Sequence, residues 1–177
     1  MRRSPGWIVV LALLGATAGM LAGRWFKPSG GGEGYSQVGA PRAAFVRPDP
    51  EGKPHDIAAW DGKLIVLNFW ASWCAPCRAE MPALDRIAQR HAGHGVSVIG
   101  VAVDEAAATR DFLREHPVGY PILVDDPQTS GELSTSYGNE RKVLPYTVLI
   151  GRDGRILAQH FGSFDETALD NWLRLHL

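Results

Sequence analysis

The stretch that restricts the fold most is Leu64-Ile65-Val66-Leu67-Asn68-Phe69-Trp70, continued directly by Ala71-Ser72-Trp73-Cys74-Ala75-Pro76-Cys77. The first seven residues form an apolar run with Ile and Val and no polar alternation, the pattern of a parallel strand buried on both faces. Met81, Leu84, Ile87 and Ala88 then recur at helical spacing. The only two cysteines of the chain therefore fall where a buried strand gives way to a helix.

That placement has chemical consequences. Unpaired N–H groups and the positive end of the helix dipole favour a thiolate on Cys74. Thiol–disulfide exchange needs the thiolate. Cys77, one turn in, is placed to attack a mixed disulfide formed on Cys74. Pro76 stiffens the dipeptide at little cost, because the first helical turn could not pair its N–H anyway. The competing readings are a structural disulfide, two buried thiols or part of a zinc site. Zinc wants four ligands here and there is no second cysteine pair. His91 and His94, the histidines nearest metal-ligand spacing, flank Ala92-Gly93 in what reads as a helix exit. Context and spacing together favour redox chemistry, with no metal site and no cofactor beyond a redox-active Cys74–Cys77 disulfide.

The run Asn68-Phe69-Trp70-Ala71-Ser72-Trp73-Cys74-Ala75-Pro76-Cys77-Arg78-Ala79-Glu80-Met81-Pro82 resembles the thioredoxin superfamily, and within it the TlpA/ResA-like branch of membrane-tethered, extracytoplasmic bacterial oxidoreductases. The resemblance runs from about Phe45 to the C-terminus, on the scale of one domain. It implies an α/β fold, a thioredoxin-like mixed sheet flanked by helices, with an extra central strand–helix segment. Where thioredoxins generally carry a buried, proton-handling Asp six residues before the first cysteine, this chain has Asn68, which cannot titrate. The branch shares that departure and carries a Glu three residues after the second cysteine, here Glu80. The i to i+3 spacing puts Glu80 on the helical face of Cys77, suited to take or return its proton. Spacing alone fits a solvent-facing carboxylate equally well. The resemblance also implies that Pro145 is a cis-proline facing the cysteines. Trp73, Ala75, Pro76, Leu144 and Pro145 would then contact a substrate strand. From sequence alone a trans proline at a strand start is the default.

A chain of 177 residues suits one domain plus extras. Met1-Arg2-Arg3 is basic and Trp7 to Gly23 carries no charge over 17 residues, an export signal or an N-terminal membrane anchor. Ala16-Thr17-Ala18 offers a cleavage pattern. Arg24-Trp25-Phe26-Lys27 supplies interfacial aromatics and bases, and the balance favours a retained anchor over residues 1–27. Either way the catalytic part is expected on the extracytoplasmic, periplasmic side, where disulfides persist. Residues 28–42, with Gly30-Gly31-Gly32, read as a flexible linker, and residues 43–177 as the thioredoxin-like domain. Setting aside the four bases at the N-terminus leaves 14 Lys and Arg against all 19 Asp and Glu, a net charge of −5. No basic stripe remains for nucleic acid.

Beyond the cysteine helix the pattern is of short strands and helices in alternation, and a short strand also precedes the central one. Phe45-Val46-Arg47 is that short strand, before a turn. Gly95–Val103 and Tyr120–Val124 are strands joined through a helix, for which Asp104 is the expected cap. Ser130 to Tyr137 is a weak helix. Tyr146–Ile150 and Arg155–Phe161 are antiparallel strands across a Gly151-Arg152-Asp153-Gly154 hairpin, and Asp165 caps a final helix.

The expected reaction is reduction of disulfides in exported proteins, with a membrane thiol transporter as electron donor and cytochrome c apoproteins or copper-site cysteines among the substrates that the resemblance implies. A disulfide oxidase and a copper-binding metallochaperone using Cys74 and Cys77 are the alternatives.

Overall fold

A computed structural model describes residues 36–128 and 132–177, all within one compact unit spanning 35–177. The expected anchor at 1–27 and the Gly-rich part of the linker lie outside the described residues. Among the described residues no helix is long and apolar enough to cross a membrane.

In chain order the elements are β1 (Val46–Pro48), β2 (Pro54–Asp56), a 3-10 turn (Ile57–Trp60), β3 (Leu64–Trp70), α1 (Ala75–Arg90), β4 (Val96–Ala102), α2 (Ala106–Glu115), β5 (Ile122–Val124), α3 (Leu133–Ser136), β6 (Tyr146–Ile150), β7 (Ile156–Phe161) and α4 (Glu166–Arg174). Five strands form one mixed sheet in the order β5-β4-β3-β6-β7; β1 and β2 make a separate hairpin. The central strand β3 runs parallel to β4 and antiparallel to β6.

All seven residues of β3 are buried, which explains a run without polar alternation. Leu64, Val66 and Trp70 pack toward Leu84 and Ile87 of α1, Phe112 and Leu113 of α2, and Leu169 and Leu173 of α4. Ile65, Leu67 and Phe69 pack on the opposite side with Phe45, Ile57, Leu133, Tyr137 and Tyr146. Three helices thus cover one face; the N-terminal segment, the 3-10 turn and α3 cover the other.

Local chemistry sets several boundaries. Asp165 Oδ1 accepts from the Ala168 N–H at 2.8 Å and caps α4. Gly154, with φ +77°, supplies the left-handed residue of the β6–β7 hairpin. α3 is shorter than the sequence indicates, four residues from Leu133.

One expectation is corrected. Asp104 does not cap α2: Glu105 holds that position, without a side-chain cap bond, and Asp104, one residue earlier, accepts from Ser72 at Oδ2 and from the Glu105 N–H at Oδ1. Residues 37–42 run beside β7. Gly39 N–H donates to Ile156 O, Ile156 N–H to Ala40 O and Arg42 N–H to Gly154 O, each at 2.8–2.9 Å. These backbone groups find partners along an otherwise open sheet edge.

Leu84, completely buried where α1 meets β3, is expected to carry much of this packing. Leu84→Ala should lower the urea unfolding free energy of the oxidised protein by about 2–5 kcal/mol. The same change at the exposed Leu175 should stay within about 0.5 kcal/mol.

Candidate active site

The cysteines sit where a fully buried strand releases the chain. After Trp70 the chain turns through Ala71, Ser72 and Trp73, and α1 begins with Cys74 as its N-cap. Asp104, at the end of the parallel neighbour β4, ties this turn down. Its Oδ2 accepts from the Ser72 N–H at 3.0 Å and from Ser72 Oγ at 2.5 Å. The loop is therefore held from both strands, and Trp73 is left standing in solvent with 69% of its surface exposed.

Cys74 and Cys77 form a disulfide with Cα atoms 5.3 Å apart. Cys74 Sγ accepts from the Cys77 N–H at 3.3 Å, so an unpaired amide of the first helical turn points at the first sulfur. Cys77 is fully buried and Cys74 nearly so, at 6% exposed. Ala75 and Pro76, between them, are exposed, with Pro76 in the first turn. The site thus shows solvent a rim of Trp73, Ala75 and Pro76, with the sulfurs set back.

Glu80 is 1% exposed, which removes the solvent-facing reading. One turn beyond Cys77, its Oε1 accepts from Asn68 Nδ2 at 2.7 Å and its Oε2 from the Phe164 N–H at 3.0 Å. No cation bonds it among the described residues. Burial dominates the two hydrogen bonds, and the carboxyl is pushed up from 4.5 to about 7.

The Leu144–Pro145 peptide bond is cis, and Pro145 is buried at the entry to β6. Its carbonyl accepts from the Gly162 N–H at 2.9 Å. The preceding loop, rich in charge, is fixed by the buried Asn139. Its Nδ2 donates to Val143 O at 2.8 Å and its Oδ1 accepts from the Val143 N–H at 3.0 Å. Leu144 and Trp73 line one open cavity of about 580 Å³ together with Val103, Glu105 and Lys142. The structure therefore brings the cysteine turn and the cis-proline loop to a common surface. Among the described residues no group of three or more His, Cys, Asp or Glu side chains is set to hold a metal ion.

Sequence reasoning missed Ser72–Asp104, Asn139 and the Phe164 N–H. Asp104 is legible as a polar residue ending a buried strand, but nothing in its spacing says it reaches back to Ser72. The Phe164 amide carries no side-chain signal at all.

A five-stranded mixed sheet flanked by helices and a Cys-Ala-Pro-Cys pair at a strand-to-helix turn define a thioredoxin-like redox protein. The chain belongs to the Redoxin family, whose model matches residues 37–173, and it is a thiol–disulfide oxidoreductase. It is 30% identical over 168 residues to the thiol-disulfide oxidoreductase ResA of Bacillus thuringiensis subsp. konkukian, covering 94% of this chain and 92% of the relative. Identity to the ResA of Bacillus subtilis is 29% over 74% of this chain and 71% of that protein. Among solved structures it is similar to a candidate thiol:disulfide interchange protein DsbE from Chlorobium tepidum. That match has a TM-score of 0.71 and 28% identity, over 80% of this chain and 98% of the other. StoA from Bacillus subtilis matches with a TM-score of 0.61 and 26% identity, over 74% and 96%.

The Glu80 environment has a measurable thermodynamic signature. The native state holds this proton more tightly than the unfolded chain, so its contribution is complete below pH about 4.5 and is lost as pH rises through about 7. Unfolding free energy should therefore fall with rising pH across that window, by an amount on the order of a few kcal/mol. Glu80→Gln should flatten the fall, read by urea titrations at the two ends. Equal slopes in both proteins would contradict the assignment.

Proposed function

We propose that this protein reduces disulfide bonds in exported proteins on the extracytoplasmic side of the cytoplasmic membrane, tethered there by residues 1–27. The observation that carries the reading is the stacking of Cys74, Cys77 and Glu80 along the first turns of one helix. The first sulfur meets a free amide; the second sulfur and the carboxyl lie inside. The ResA relatives support the class of reaction.

In this reading the Cys74 thiolate attacks one sulfur of a substrate disulfide. A Cys74–substrate disulfide forms and the substrate's other sulfur leaves as a thiolate. Cys77 then loses its proton to Glu80 and attacks Cys74 Sγ, closing Cys74–Cys77 and releasing the second substrate sulfur as a thiolate. Two electrons have passed to the substrate. A membrane thiol donor then returns the pair to the dithiol. A carboxyl poised near neutrality can take and give back a proton at the working pH. No cofactor other than the Cys74–Cys77 pair is invoked.

The exposed Trp73, Ala75 and Pro76 would meet the substrate from one side, and Leu144 and Pro145 from the other. Cytochrome c apoproteins and copper-site cysteines of respiratory assembly factors suit this chemistry, since each must be presented reduced before metal or haem attachment.

Trapping tests the order of events. Cys77→Ser incubated with an oxidised peptide should accumulate a stable mixed disulfide on Cys74, seen as a mass adduct, whereas Cys74→Ser should accumulate none. Adducts on Cys77 instead would reverse the roles. A midpoint potential near the reducing end of the thioredoxin-like range, about −270 mV, is expected. A value near about −120 mV would make the protein an oxidase. Tight stoichiometric Cu(I) binding with no disulfide exchange would favour the metallochaperone.

A further inference from the structure

Both carboxylate oxygens of Glu80 face N–H donors, Asn68 Nδ2 and the Phe164 amide. That arrangement suits the ionised form, which only accepts. A protonated Glu80 has an O–H that needs an acceptor, and its present partners offer none. The acceptor lies at the other end of the Asn68 amide. Among the described residues Asn68 Oδ1 is buried without a partner, while Nδ2 makes both of the side chain's bonds, the second to Thr147 Oγ1 at 3.0 Å. Thr147 stands directly opposite Asn68 in the β3–β6 register and is completely buried.

We propose that the Asn68 amide is a two-position partner that turns over as Glu80 gains or loses its proton. Thr147 is then a positioning residue for the redox reaction, because its hydroxyl serves either position. The inference rests on Glu80 taking the Cys77 proton. That transfer leaves a thiolate and a neutral acid; the amide turn itself moves no proton.

With Glu80 ionised, Nδ2 donates to Glu80 and to Thr147. With Glu80 neutral, a half-turn of the amide lets Oδ1 accept from the Glu80 O–H, and the Thr147 hydroxyl donates where it formerly accepted. The two ends of an amide have nearly the same shape, so the turn needs no repacking. It does carry Nδ2 to the place where Oδ1 now lacks a partner. The second position is therefore the costlier one, and the nitrogen stays on Glu80 until the carboxyl is protonated. A hydroxyl is the group that accepts in one state and donates in the other. Valine at position 147 would fill similar space and do neither.

Removing the hydroxyl penalises the two states unequally. In the ionised state one buried Nδ2 hydrogen loses its only acceptor. In the neutral state Oδ1 keeps the Glu80 bond and loses only a second donor. An orphaned buried N–H costs more than an under-filled carbonyl. Thr147→Val should therefore make Glu80 hold its proton more tightly.

Other titratable groups around Glu80 are left in place by that change. Tyr120, before β5, is kept neutral by burial. His160 on β7 stacks 3.8 Å from the Phe164 ring and is lowered mainly by burial. Asp85 and Cys77 lie on the same helix as Glu80. The Arg86 and Arg90 pairs with Glu166 occupy the exposed α1–α4 seam.

The test is an NMR titration of the oxidised full chain, following the Glu80 carboxyl carbon and the Asn68 side-chain amide between about pH 4 and pH 9. The Asn68 signals should move with the Glu80 midpoint. Thr147→Val should raise that midpoint by about half to one pH unit, and Thr147→Ser should restore it. Asn68 signals indifferent to the Glu80 titration, or a folded Thr147→Val with an unmoved midpoint, would overturn the proposal. Should Thr147→Val fail to fold, the wild-type Asn68 titration decides alone. The catalytic role of Glu80 fails separately: unchanged Cys77 reactivity in Glu80→Gln would remove it without touching this result.

Discussion

The structure turns on a buried carboxyl whose hydrogen-bond partners carry no charge. Helix α1 presents Glu80 inward and β3 answers with an amide, Asn68, at 2.7 Å. A cation there would hold the carboxylate ionised at all ordinary pH. A purely apolar wall would leave its oxygens unsatisfied. An amide and one backbone N–H satisfy the carboxylate while leaving desolvation in control, and the result is an acid pushed up to about 7. The same contact joins the helix that carries both cysteines to the centre of the sheet. The Phe164 amide extends it to the chain just before α4.

Around that contact the cysteines are graded by depth. Trp73 and the Ala75-Pro76 dipeptide are exposed, Cys74 is nearly covered, and Cys77 and Glu80 are fully inside. The gradient is imposed by helix periodicity together with the Asp104 anchor on Ser72, which fixes how the chain leaves β3. The tryptophan and the dipeptide stand outermost, with both sulfurs set behind them. Trp73 and Leu144 line one open cavity beside them.

Much of this was legible in the sequence, and the reasons differ by element. The β3 run announced burial on both faces because no polar residue but Asn68 interrupts it, and the Cys-Ala-Pro-Cys spacing announced its chemistry. Glu80 was legible as a partner of Cys77 from its i to i+3 offset. That offset could not say whether the carboxyl lay in solvent or in the core, since burial depends on α4 and its approach through Phe164. Asp104 was misread for a related reason. A helix cap is a local pattern, whereas its bond to Ser72 joins residues 32 positions apart. Residues 37–42 show no strand pattern in the sequence, yet their backbone pairs beside β7, and backbone pairing leaves little mark in side-chain identity. Thr147 carried no signal beyond β-branching until its register with Asn68 was known.

The central claim is that Glu80 governs the proton of Cys77, and the most direct measurement is the pH dependence of Cys77 alkylation in the reduced protein, with Cys74 replaced by Ser. The account predicts a profile whose shape carries the Glu80 ionisation near neutrality and loses that feature in Glu80→Gln. Superimposable profiles for the two proteins would contradict it.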